Sequence, residues 1–66
     1  MTITVNGAPR ETDAAMTLAV LITELTGSSR GSAAVVDGDV IPRSQWSTFT
    51  LRDGQSVELI TAVQGG

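Results

Sequence analysis

The chain has 66 residues, 41% of them hydrophobic, and seven acidic side chains against four arginines leave it a net charge of −3. That length holds one small domain, and an acidic balance argues against a nucleic-acid partner, whose phosphates select a basic face. With neither cysteine nor histidine in the chain, it has no ready disulfide or metal site to brace a fold that buries only about 60% of its unfolded surface.

Met1, Ile3 and Val5 alternate with Thr2 and Thr4, the period-2 signature of a half-buried strand. Asn6-Gly7 follows, the commonest dipeptide of a type I′ hairpin. The return strand, about residues 8–13, contains Pro9, Arg10 and Glu11; proline cannot donate to a ladder, which predicts an edge strand.

Leu18, Leu21, Ile22 and Leu25 fall at i, i+3, i+4 and i+7, one stripe of a helix bounded by Thr17 as N-cap and Gly27 just past its end. An isolated helix of about ten residues is marginal in water, so the stripe must pack on a sheet. Residues 28–32 are polar and contain glycine, as loops do. Residues 33–36 predict a short strand, closed by Asp37-Gly38-Asp39 and answered by Val40-Ile41.

Pro42 to Trp46 predicts one helical turn, with proline at its start and the tryptophan on the core edge. Phe49 and Leu51 alternate before an Asp53-Gly54 turn. In the final strand, residues 56–63, Val57, Leu59, Thr61 and Val63 share one face and Glu58, Ile60 and Ala62 the other. These elements make an α+β domain, a mixed sheet of four to five strands packed on one main helix. The first and last strands are the most apolar, which predicts that they lie side by side, parallel, in the centre. The domain spans residues 1–62, and residues 63–66 form a flexible tail.

The interior of the sequence is poor in chemistry. No histidine, cysteine or lysine is present to activate a serine or threonine. Asp37 and Asp39 flank a glycine as turn residues do, without the longer calcium-loop pattern. Gly27 and Gly31 lack the dinucleotide-loop spacing. The start, MTITVNGAPR, has neither an apolar h-region nor a basic n-region, and no apolar run approaches the ~20 residues that cross a bilayer. A soluble, cytoplasmic protein is expected, with no membrane partner, no metal and no bound cofactor.

The sequence closes on Gly65-Gly66. Two residues without a Cβ form a thin, freely rotating tip that enters channels where any side chain would clash. They also read as an ordinary frayed end. Extended, residues 63–66 reach roughly 13 Å beyond the sheet and carry a free carboxylate. A carboxylate becomes an electrophile once its oxygen is made a leaving group, as ATP does by forming an acyl-adenylate. A sulfur nucleophile then displaces AMP and leaves a thiocarboxylate.

The N-terminal strand, the Leu18-Leu21-Ile22-Leu25 helix, Val40-Ile41-Pro42-Arg43-Ser44-Gln45-Trp46, the Asp53-Gly54 turn and the terminal Gly65-Gly66 together cover nearly the whole chain. In these features the sequence resembles the ThiS family of bacterial sulfur carriers, ubiquitin-like β-grasp proteins of thiamine biosynthesis. The diglycine alone is shared with ubiquitin-like proteins generally. The Ile-Pro-Arg-x-x-Trp stretch and the short length tilt the likeness to ThiS. Val63-Gln64 depart from the apolar or small residues more usual before the glycines.

The resemblance implies that a ThiF-like enzyme adenylates Gly66 with ATP and Mg²⁺, and that a sulfurtransferase system supplies sulfur. The thiazole synthase ThiG then consumes the thiocarboxylate. The chain is then a co-substrate rather than an enzyme, monomeric when free, with Gly65 clearing the way for Gly66. Ile60 and Ala62, on the strand face turned away from the helix, are a candidate docking surface with Val63 and Arg43, or scattered surface residues. Trp46 reads as core-closing. The rival readings are a carrier for molybdopterin or cysteine synthesis, and a non-covalent interaction module.

Overall fold

The computed structural model describes residues 1–27 and 32–61; residues 28–31 and 62–66 lie outside this description, as do the side chains of Ser32 and Thr61. β1 (Thr2–Val5) turns at Asn6-Gly7 into β2 (Ala8–Glu11). Asn6 at φ 49° and Gly7 at φ 83° are both left-handed, the pair of angles a type I′ turn requires. β2 pairs antiparallel with β1 alone and forms one edge of the sheet, where Pro9 leaves no ladder bond missing.

The helix α1 (Leu18–Thr26) begins at Thr17 and stops at Gly27, whose φ of 75° is the left-handed cap. Its first free N–H groups all find acceptors: Leu18 donates to Phe49 O, Ala19 to Trp46 O, Val20 to Thr17 Oγ1 and Leu21 to Thr17 O. The helix start is therefore held by residues 46–49 as well as by its own cap. Leu18, Leu21 and Ile22 are fully buried and Leu25 half-buried, as the stripe predicts.

β3 (Ser32–Val36) and β4 (Asp39–Ile41) form the second hairpin, and a single 3₁₀ turn, Arg43–Gln45, follows. Pro42 is extended at ψ 144° and precedes the turn rather than opening it as expected. Phe49 and Leu51 flank an isolated bridge between Thr17 and Thr50 and build no strand. β5 (Ser56–Thr61) closes a five-stranded sheet ordered β2-β1-β5-β3-β4. β5 runs parallel to β1 and antiparallel to β3, so the first and last strands meet in the interior of the sheet as expected.

The helix covers one face. Ile3, Ala34, Val36 and Val57 from that face join the helix leucines, Trp46 and Leu51 in one aliphatic core. Burying each large aliphatic side chain contributes about 1.5–3 kcal/mol. Trp46 is 2% exposed, and its Nε1–H donates to Ile41 O at 2.8 Å.

Candidate functional site

Of the residues singled out in the sequence, Gly65, Gly66, Ala62 and Val63 lie outside the described residues, as does the proposed 63–66 tail. Ile60 and Arg43 can be placed. β5 is the strand that leads in sequence to the glycines. On the β3 side its pairing runs from Val36↔Val57 to Ser32↔Thr61, the last residue of the strand. On the β1 side the paired residues are Thr4↔Ser56 and Val5↔Val57, and β1 then ends.

The turn residues of the two hairpins hold β5, Asp37 at its first residue and Asn6 at Val57 and Leu59. Asp37, left-handed at φ 50° in the β3–β4 turn, accepts the Ser56 N–H at 2.9 Å on Oδ1 and the Gln55 side-chain amide at 3.2 Å on Oδ2. Its own N–H donates to Ser56 O at 2.8 Å. Asn6, in the β1–β2 turn, donates its N–H to Val57 O at 2.9 Å and accepts the Leu59 N–H at 2.9 Å on Oδ1. Asp37 therefore holds the entry of β5, and Asn6 extends the ladder beyond the last residue of β1. Both contacts went unseen in the sequence, where Asn-Gly and Asp-Gly signal a turn and say nothing of a strand 19 or 53 residues away.

Ile60 is 58% exposed on the face turned away from the helix, while Val57 and Leu59 face inward, buried and half-buried. Ile60 has neighbours on that face. It pairs across to exposed Ala33; Glu58, two residues earlier, pairs with Val35, and Val35 pairs with Val40, which is 71% exposed. Ile60, Ala33, Val35 and Val40 thus form an apolar group with Glu58 among them. Of these four the sequence points to Ile60 alone, because a strand as short as β4 carries no alternation that could assign Val40 a face. Arg43 is exposed at the sheet's edge, two residues after β4, and its guanidinium lies 5.9 Å from the centre of the Trp46 ring.

A hollow of about 270 Å³ lies at the other end of the sheet, lined by Arg10, Glu11, Thr12, Asp13, Met16 and Glu24. It offers no pairing of a nucleophile with a base. Among the described residues no group of three or more acidic residues stands close enough to hold a metal ion. No helix among them is long and apolar enough to cross a membrane.

Comparison with known proteins places this architecture. The model of the ThiS family matches residues 3–66, a span that includes both terminal glycines. The sulfur carrier protein ThiS of Escherichia coli is 27% identical over 66 residues, covering the whole of both chains. A thiazole synthase of Paramagnetospirillum magneticum is 30% identical over the same 66 residues, but the chain spans only 20% of that protein's length. The crystal structure of the thiamine biosynthesis protein ThiS from Geobacter metallireducens superimposes with a TM-score of 0.84 at 28% identity, covering all of both chains. The five-stranded mixed sheet and one α-helix of the described residues are the ubiquitin-like β-grasp fold, and the chain belongs to the ThiS family, the family of the sulfur carrier of thiamine biosynthesis.

Proposed function

We propose that the chain is the sulfur-carrying co-substrate of thiazole formation, with the Gly66 carboxylate as its one reacting group. The observation that carries this reading is that the family match extends to Gly66, so that it takes in both glycines. In this reading a carboxylate oxygen of Gly66 attacks the α-phosphorus of ATP on a ThiF-like enzyme and expels pyrophosphate. Mg²⁺ and ATP belong to that enzyme. A sulfide equivalent from a sulfurtransferase system then adds at the acyl carbon, AMP leaves, and the resulting thiocarboxylate delivers sulfur to a thiazole synthase of the ThiG type. The thiazole synthase among the relatives agrees with that client.

The work of this chain is recognition and reach. Gly65 has no side chain to obstruct entry of Gly66 into a narrow channel. The apolar group around Ile60, continued in sequence by Ala62 and Val63, is the surface by which the enzymes hold the body, with Arg43 as a further contact. An uncovered apolar patch rimmed by polar residues is how such contacts are commonly built.

Mass spectrometry tests the reading. Incubated with its activating enzyme, ATP and a sulfur donor, the chain should gain the mass of one oxygen exchanged for sulfur, mapped to Gly66, while a chain lacking Gly66 should stay unchanged. No mass change in the full-length chain would overturn it.

A further inference from the structure

β5 is held unequally at the end that leads to the glycines. Toward β3 it is paired through Thr61; toward β1 the strand partners end at Val57, and the Asn6 side chain supplies the next rung at Leu59. We infer that Asn6 is a positioning residue for the proposed chemistry: its bond to the Leu59 N–H fixes the direction in which β5 hands the chain on toward Gly66. The inference rests on the sulfur-carrier reading of Gly66. A reacting group on a tether turns over in proportion to the time it spends in attacking geometry. A strand end held from one side only sweeps a wider range of directions than one held from both.

The chemistry of position 6 separates this role from turn formation. At φ 49° the turn admits asparagine, aspartate or glycine, but only the first two carry an oxygen that accepts the Leu59 N–H. Asn6→Asp therefore keeps both turn and rung, whereas Asn6→Gly keeps the turn and loses the rung. The rung can also be removed from the other side. A chain of 66 residues is within reach of chemical synthesis, and replacing Leu59 by its α-hydroxy-acid analogue deletes the N–H while leaving Asn6 and the leucine side chain in place.

The experiment measures pyrophosphate release by the activating enzyme with each full-length chain, resolved into kcat and KM, together with hydrogen exchange at the Leu59 amide. For Asn6→Gly, faster exchange at Leu59 and a kcat lower by about three- to tenfold are expected, with KM little changed because the docking face is untouched. Asn6→Asp should restore kcat to within about twofold. The ester chain should show the same loss as Asn6→Gly, and combining the two should cost no more than either alone, since both remove one bond. Wild-type kcat in Asn6→Gly overturns the inference, as does an equal loss in Asn6→Asp. Should Asn6→Gly fail to fold, an ester chain with wild-type kcat overturns it instead. A wild-type chain that is never adenylated overturns the carrier reading and this inference with it, whereas an adenylated wild type with indifferent variants removes the inference alone.

Discussion

The Trp46 indole N–H donates to Ile41 O at 2.8 Å, tying the residue that closes the core to the end of the edge strand β4. The same ring lies beneath the Arg43 guanidinium, and Trp46 O accepts the Ala19 N–H at the start of the helix. One residue thereby joins the 3₁₀ turn, β4 and α1. Replacing Trp46 by Phe deletes the indole donor and leaves a small void, for an expected loss of about 1–3 kcal/mol. Trp46→Ala should cost about 3–5 kcal/mol, comparable to the roughly 3–10 kcal/mol available to a fold of this size. Urea unfolding followed by circular dichroism checks both, and a Trp46→Ala chain as stable as wild type would contradict the packing described.

Asp37 performs three tasks, adopting the turn conformation and accepting from both Ser56 and Gln55. Asp37→Asn preserves the left-handed angle and an acceptor for Ser56, and should cost less than about 1 kcal/mol. Asp37→Ala loses both acceptors and leaves φ 50° to a residue without the short polar side chain that eases that conformation, for about 1–3 kcal/mol. Amide exchange at Ser56 distinguishes the two: it should accelerate in the alanine variant and stay close to wild type in the asparagine variant.

Ala15 is left-handed at φ 65°, a conformation that costs a residue with a Cβ about 1–2 kcal/mol. Glycine removes that strain but adds freedom to the unfolded chain, worth about 0.4–1 kcal/mol in the other direction. A net gain of about 0.5 kcal/mol is expected for Ala15→Gly, or roughly 2–4 °C in Tm. Ala15→Val should lower Tm. Differential scanning calorimetry of the two variants settles the sign.

If the face carrying Ile60 and Val40 is the docking surface, a charge there should weaken association without harming the fold. Ile60→Asp and Val40→Glu should each raise the Kd for the activating enzyme by about tenfold or more, the effect of a central interface residue, while stability stays within about 0.5 kcal/mol for Val40→Glu. Titration calorimetry reads the first quantity and urea midpoints the second. Undiminished affinity in both variants would remove this face from the docking surface.

What could be read from the sequence was what depends on neighbours along the chain. The leucine stripe announced α1 because i, i+3, i+4 spacing is a local property, and Asn6-Gly7 announced its hairpin because left-handed angles select those residues. The central parallel pairing followed from the apolarity of the two terminal strands. Val40 is not legible as part of an apolar group because the face it takes is set by its pairing with Val35 of β3. Asn6 and Asp37 were read as turn residues only, since a hydrogen bond to a distant strand has no sequence period. The residues that carry the proposed chemistry, Gly65 and Gly66, were visible in the sequence but lie outside the described residues.

The parallel pairing of β1 with β5 joins residues about fifty positions apart, as in Thr4↔Ser56. During synthesis from the N-terminus the centre of this sheet cannot close until residues 56–61 exist, because β1 and β3 have no common neighbour before then. Such long-range closure slows folding relative to local helical contacts. It also makes folding a checkpoint: a chain interrupted anywhere before Ser56 lacks its central strand and presents no finished body for the proposed activating enzyme to grip. In the proposed reading, competence to be recognised and possession of the strand that leads to Gly65 and Gly66 are then acquired in the same step.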